Sequence, residues 1–263
     1  MATGIGARTP HPAPRDPVRP GWRRRDAHDD VSATVWSFCR IMSLRPLGRS
    51  VLNRINRKFK LELLMQERLA IAEVVNNWAL WRDAGFWDRF RTVWHKEGWM
   101  SATWFQGPAE EFIGQSIKGF EAGNIILHFL GGVTVDLAGD RAIAQTKMTI
   151  TQRGPVEGVE IEVVCTGRFY DFFEKREGQW GIVRRQPIYE RDHMKPVHPS
   201  DKVSLDKALL ESFPIGYRNL AYLQTRLGFK VKSDMPGLKG DIVQALYKRG
   251  QDWLDGKNSA LPV

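Results

Sequence analysis

Apolar side chains recur at helical spacing from Leu61 onward. Leu64, Ile71, Val74, Val75, Trp78 and Trp81 follow the i, i+3, i+4, i+7 rule. The stretch predicts a helix that ends near Asp83, just before Ala84-Gly85. A short helix over 86–93, a strand over 99–106 and a helix over 110–123 are expected next, with Gly107-Pro108 as punctuation. Upstream, Leu47, Val51, Leu52 and Ile55 fall at helical spacing among basic residues. They predict a separate amphipathic helix over 42–60, either lying on an anionic surface or docked and solvated.

The period then changes from helical to alternating. Strands are expected over 125–137, 141–152, 159–174 and 180–189. Gly139-Asp140, Gly154-Pro155 with Gly158, and Glu177-Gly178 supply the turns. In the third strand Val159, Ile161, Val163, Cys165, Gly167 and Phe169 share one face. Helices followed by a long antiparallel meander define an α+β fold, a curved sheet wrapped against N-terminal helices. Beyond residue 195, prolines 196, 199 and 214 mark a linker around a short helix at 205–212. Helices over 217–227 and 241–254 follow, with a turn at 234–237. This tail is amphipathic, so it is expected to pack on the body or on a second subunit of a homo-oligomer.

Three segments result: a basic, largely disordered stretch (1–60), an α+β body (61–195) and a helical extension (196–263). Residues 1–30 are rich in Pro, Arg and Asp and hold too little apolar area to offset the entropy of ordering. Their arginines resemble an organelle transit peptide, which the acidic run at 28–30 argues against; translation from Met42 is the other reading.

Charge sharpens this division. The chain has 263 residues and a net charge of +9, yet residues 1–60 hold thirteen Lys and Arg against four Asp. The remainder is neutral, so no nucleic-acid partner is expected. Ten Trp and thirteen Phe are core material first, because aromatics bury large areas. Two cysteines, Cys39 and Cys165, without metal-ligand spacing predict neither disulfides nor a metal site, and point to the cytoplasm. No apolar run reaches the roughly 20 residues that span a bilayer, so stable membrane insertion is not expected.

The candidate chemistry centres on Leu127-His128-Phe129-Leu130-Gly131-Gly132, a histidine near the start of a strand. Asp83, 45 positions earlier at a helix end, is its best partner. A carboxylate on one ring nitrogen leaves the other to take a proton near neutral pH. The plainer roles are a satisfied core histidine and an aspartate that caps the helix after it. Asn76, Trp78, Trp104, Tyr170 and Arg168 are candidate substrate-binding residues; the first four double as ordinary core candidates, and Arg168 as half of an ion pair. His95, His193 and His198 look peripheral.

Three further motifs carry a family resemblance. They are Trp81-Arg82-Asp83-Ala84-Gly85-Phe86-Trp87-Asp88, His128-Phe129-Leu130-Gly131-Gly132, and Gly167-Arg168-Phe169-Tyr170 followed by Arg176-Glu177-Gly178-Gln179-Trp180. In this order they resemble the SnoaL-like group of the nuclear-transport-factor-2-like superfamily, over about residues 61–195. The resemblance implies a cone-shaped α+β barrel with a deep pocket between helices and sheet. It places Asp83 and His128 where scytalone dehydratase and hexachlorocyclohexane dehydrochlorinase carry their aspartate and shared histidine. The dehydratase's second histidine has no counterpart in Thr149-Ile150-Thr151-Gln152-Arg153, and Arg82 stands where it has a tyrosine. The Asp-Arg-Asp set of limonene epoxide hydrolase is not evident in Arg184-Arg185-Gln186.

The expected function is therefore a cofactor-independent lyase or isomerase, of dehydratase, dehydrohalogenase or cyclase type, acting on a small hydrophobic substrate. The alternative is a non-catalytic ligand-binding or scaffold member of the same superfamily. A dioxygenase β subunit is a third, weaker likeness.

Overall fold

The computed structural model describes residues 49–257. Residues 1–48, including the basic arginine run and Cys39, lie outside them. From Lys58 onward the chain forms one compact unit.

Helix α1 (Arg49–Asp83) runs 35 residues and crosses residue 60 without a break. The helix expected over 42–60 and the apolar helix after it are thus one element from Arg49 on, because no Gly or Pro interrupts 50–83. It ends in a left-handed cap: Gly85 takes φ 72°, its N–H reaches the Arg82 carbonyl, and the Phe86 N–H reaches that of Trp81. Then come α2 (Trp87–Arg91), β1 (Trp94–Ser101), β2 (Gln106–Pro108) and α3 (Ala109–Glu121). The single strand expected over 99–106 is two strands. The Ala102 N–H donates to Phe105 O at 2.7 Å and folds β2 back on β1.

Four long strands follow: β3 (Ile126–Ala138), β4 (Arg141–Val156), β5 (Val159–Arg176) and β6 (Gln179–Pro196). The six strands form one curved, open sheet in the order β2-β1-β6-β5-β4-β3; β1 is parallel to β6 and all other pairs are antiparallel. Two expected boundaries move. Gly154-Pro155 is strand rather than turn, and the reversal falls on Glu157 and Gly158, both at positive φ. Pro155 is tolerated because β4 extends past the start of β3 there, leaving that side without a strand partner. Strand β6 continues past Tyr189 to Pro196 through a register shift opposite Thr166 and Gly167.

The sheet has two faces, and they do different things. The concave face packs Ile71, Val75 and Trp78 of α1, Phe112 of α3, and Leu220 and Leu223 of α5 (Arg218–Arg226) into the main core. The outer face carries Ile143, Phe172 and Val183, covered by Val243, Leu246 and Trp253 of α6 (Asp241–Leu254). The short α4 (Lys207–Glu211) packs Leu209 and Leu210 against the main core and is capped by Asp206, whose side chain accepts from the Leu209 N–H. Among the described residues, no helix is long and apolar enough to cross a membrane.

Candidate functional site

Asp83 is the last residue of α1 and His128 the third of β3. A carboxylate in the last turn of a helix is opposed by the helix dipole, so it needs donors from elsewhere. It has three. The His128 ring N–H at Nδ1 lies 2.8 Å from Oδ1, the His128 backbone N–H 2.5 Å from Oδ2, and Arg82 Nη1 3.1 Å from Oδ1. Arg82 Nη1 also donates to the Ile126 carbonyl at 3.0 Å, which ties the helix end to the start of β3. The histidine is thus anchored through main chain and ring together, and its Nε2 is left to the interior.

What that nitrogen faces is set by strand parity. His128 stands opposite Ile150 on β4, and Ile150 opposite Cys165 on β5, all three on the concave face. Leu127 and Phe129 point outward and are exposed. Between Leu130 and Val133 the register slips at Gly131-Gly132, and the concave positions become Val133, Val135 and Leu137. The bulge lets one strand present His128 to the pocket at one end and aliphatic residues to the core at the other. Trp78 meets the His128 ring edge-on at 5.2 Å, and Phe169 flanks it at 6.0 Å.

Two adjoining cavities open in front of this pair. The outer one, of about 440 Å³, is walled by Trp87, Trp104, Phe120, Leu127 and Phe229, with Asp83 at its edge. The inner one, of about 30 Å³, is lined by His128, Trp78, Phe169 and Tyr189. Arg82, Trp104, Ile126, Gln152 and Gln224 border both.

The electrostatics suit a neutral imidazole beside a carboxylate. Burial pushes the His128 pKa below its ordinary 6.5; Asp83 pulls it up, while Arg82 and Arg185 push it down further. Burial alone would raise the Asp83 carboxyl, but the His128 N–H groups and Arg82 outweigh it and hold it below the ordinary 3.8. At neutral pH the pair is therefore Asp⁻ and neutral His, with the ring proton on Nδ1 and a lone pair on Nε2.

Beneath the histidine lies a feature the sequence did not flag. Arg185 and Asp171 form a fully buried, bidentate ion pair at 2.7 and 2.6 Å. The guanidinium is sandwiched between Trp78 at 4.2 Å and Phe169 at 3.9 Å, the two rings that flank His128. Asp171 sits opposite Arg185 in register, on the concave face. A charged residue amid the alternating apolar positions of β6 was the only available signal.

Three of the five candidate binding residues are not at the cavities. Asn76 is exposed, because the buried stripe of α1 runs through Ile71, Val75, Trp78 and Arg82 and leaves it roughly a third of a turn aside. Arg168 and Tyr170 lie on the outer face of β5, since Phe169 and Asp171 between them point inward. Arg168 pairs with Glu190 at 2.6 Å and donates to Gln145 at 2.8 Å. Tyr170 packs in the outer cluster against Tyr247 of α6. Trp78 and Trp104 do border the cavities. The wall residues Leu220, Gln224 and Phe229 come from the C-terminal extension and were not anticipated.

Comparison with known proteins follows the same lines. A family model described as a SnoaL-like domain matches residues 64–186. An uncharacterized protein of Emericella nidulans is 35% identical over 228 residues, covering 81% of this chain and 95% of that one. Pea pathogenicity protein 2 of Fusarium vanettenii is 36% identical over 205 residues, 74% of this chain and 88% of that one. Among solved structures, a putative scytalone dehydratase from Novosphingobium aromaticivorans is 16% identical with a TM-score of 0.43, covering 55% of this chain and 99% of that one. On the strength of the domain match and the two fungal relatives, the chain belongs to the SnoaL-like domain family.

Proposed function

We propose that the protein is a cofactor-independent lyase or isomerase in which His128, oriented by Asp83, removes a proton from a small, largely hydrophobic substrate. One observation carries the reading: the 2.8 Å contact between His128 Nδ1 and Asp83 Oδ1, with the His128 side chain buried where it lines the smaller cavity. The carboxylate fixes the tautomer that leaves Nε2 basic and stabilises the imidazolium formed on proton transfer. The apolar rings around it strengthen that support by lowering the local dielectric. In this reading residues 61–195 form the catalytic body and the extension from 196 completes its walls. The substrate's bulk occupies the outer cavity, and only its reacting end enters the inner chamber.

The test is a screen of the purified protein against small hydroxylated, keto and halogenated compounds, with loss of water or halide and solvent deuterium exchange at the acidic carbon as readouts. His128→Ala is expected to lower turnover by roughly 10²–10⁴-fold, the contribution of a positioned general base. Undiminished activity or exchange in His128→Ala would remove the general base. A wild type that binds such compounds without reaction would favour the ligand-binding alternative.

A further inference from the structure

A chain of buried amides ends at the boundary of the two cavities. Thr103 Oγ1 donates to Gln224 Oε1 at 2.6 Å, and Gln224 Nε2 donates to Gln152 Oε1 at 3.1 Å. All three side chains are buried, at 1%, 3% and 2% exposure. Because the Gln152 oxygen is engaged, its amide nitrogen is the free end of the chain. Among the described residues that nitrogen has no protein partner, and it is not one of the sealed unpartnered atoms, so it opens onto the cavity wall that Gln152 lines. The neighbouring unpartnered groups are donors as well: Trp78 Nε1 and Arg82 Nε, both sealed, belong to residues that line the inner chamber. Strand parity puts Gln152 on the concave face, two residues from Ile150, which stands opposite His128.

The geometry points to Gln152 as the residue that receives a substrate oxygen, with Gln224 and Thr103 as positioning residues that fix its amide donor-first. A buried amide whose free N–H faces a cavity recognises an oxygen that carries or develops negative charge. The substrate class is therefore a carbonyl compound, or one that becomes an enolate when its neighbouring C–H loses a proton to His128 Nε2. In that step the C–H electron pair moves into a new C=C bond, the C=O pair moves onto oxygen, and Gln152 donates to that oxygen. This deepens the general-base reading and rests on it for the proton-transfer step. The oxygen site itself is tested by binding alone, with no turnover required.

The probe pair is para-nitrophenolate, held at a pH above the phenol's own pKa, and para-nitrotoluene. They share a shape and differ by an oxyanion against a methyl group. Wild-type protein is expected to prefer the phenolate by about tenfold or more, since a hydrogen bond to a charged group is worth roughly that or better. Gln152→Met should abolish the preference while keeping affinity for the toluene. Gln224→Glu is the more telling variant. A carboxylate at 224 cannot donate, so the Gln152 amide must turn its nitrogen toward it and present its oxygen to the cavity; the phenolate preference should fall about tenfold although residue 224 is altered and 152 is not. Thermal melting confirms that each variant is folded, and Gln224→Met, which has no donor and no charge, covers the case in which Gln224→Glu does not fold. A wild type with no preference for the phenolate, or a preference unchanged in both Gln152→Met and the folded 224 variant, overturns the proposal. His128→Ala should retain the phenolate preference, so failure of the base and failure of the oxygen site give different results.

Discussion

Asp83→Asn keeps the shape of the side chain and removes one of its two acceptor oxygens. Three N–H donors converge on the Asp83 carboxylate: the His128 ring, the His128 main chain and Arg82. An asparagine satisfies them only in part. If its oxygen faces the ring, its NH2 meets the His128 backbone N–H, donor against donor. If it turns, the NH2 donates to Nδ1, the ring proton moves to Nε2, and the lone pair that would take the substrate proton is gone. Hydrogen bonds to a charged group contribute roughly 1.5–3 kcal/mol each, so losing one and weakening the buried Arg82 contact should cost roughly 2–4 kcal/mol. For a domain of this size about 1 kcal/mol moves Tm by roughly 2–4 °C, so a fall of roughly 5–15 °C is expected by calorimetry. Turnover, once a substrate is in hand, should drop by roughly 10²–10⁴-fold. Nitrogen chemical shifts of the His128 ring report the tautomer directly. An unchanged Tm together with unchanged ring shifts would refute the claim that this carboxylate sets the state of the histidine.

Two other outcomes follow from the same region. The His128 pKa is held below its ordinary 6.5, so the acid limb of kcat/KM should lie below pH 6.5; by the same linkage the unfolded chain takes up the proton first, and stability should decline as pH falls from about 6.5 through the folded value. An NMR titration of His128 checks both, and a midpoint at or above 6.5 contradicts them. Asp171→Asn leaves the Arg185 charge fully buried without its counter-ion, which should destabilise the fold by about 3–5 kcal/mol in urea denaturation. Replacing both partners with apolar residues of similar volume should cost much less; equal losses would mean the charge pairing is not what stabilises that site.

The parts of this architecture that follow local rules were legible before the fold was known. Period-two alternation on β5 and the turns at Gly139-Asp140 and Glu177-Gly178 gave strands with the right faces. Asp83 was placed at a helix end by the Ala84-Gly85 break and His128 in a strand by its apolar neighbours. Arg168 and Tyr170 took the plainer of the two roles open to them, ion pair and core, for a physical reason. Helix α6 buries the outer face of β5 almost as well as α1 buries the inner one, so a large side chain on either face reads as core or pocket. The bulge at Gly131-Gly132 left no mark that separates it from an ordinary glycine pair. The Gln152–Gln224 contact joins residues 72 positions apart through the packing of α5 on β4, and no local pattern encodes it.

Helix α5 and the loop after it have a consequence for how such proteins diverge. The SnoaL-like match ends at residue 186, yet Leu220, Gln224 and Phe229 form part of the cavity walls. Residues 64–186 alone therefore do not enclose these cavities. Two proteins that share residues 64–186 almost unchanged would diverge in what they accept if their downstream helices differ. A change confined to that segment is therefore expected to shift what the cavities accept while the sheet stays as it is.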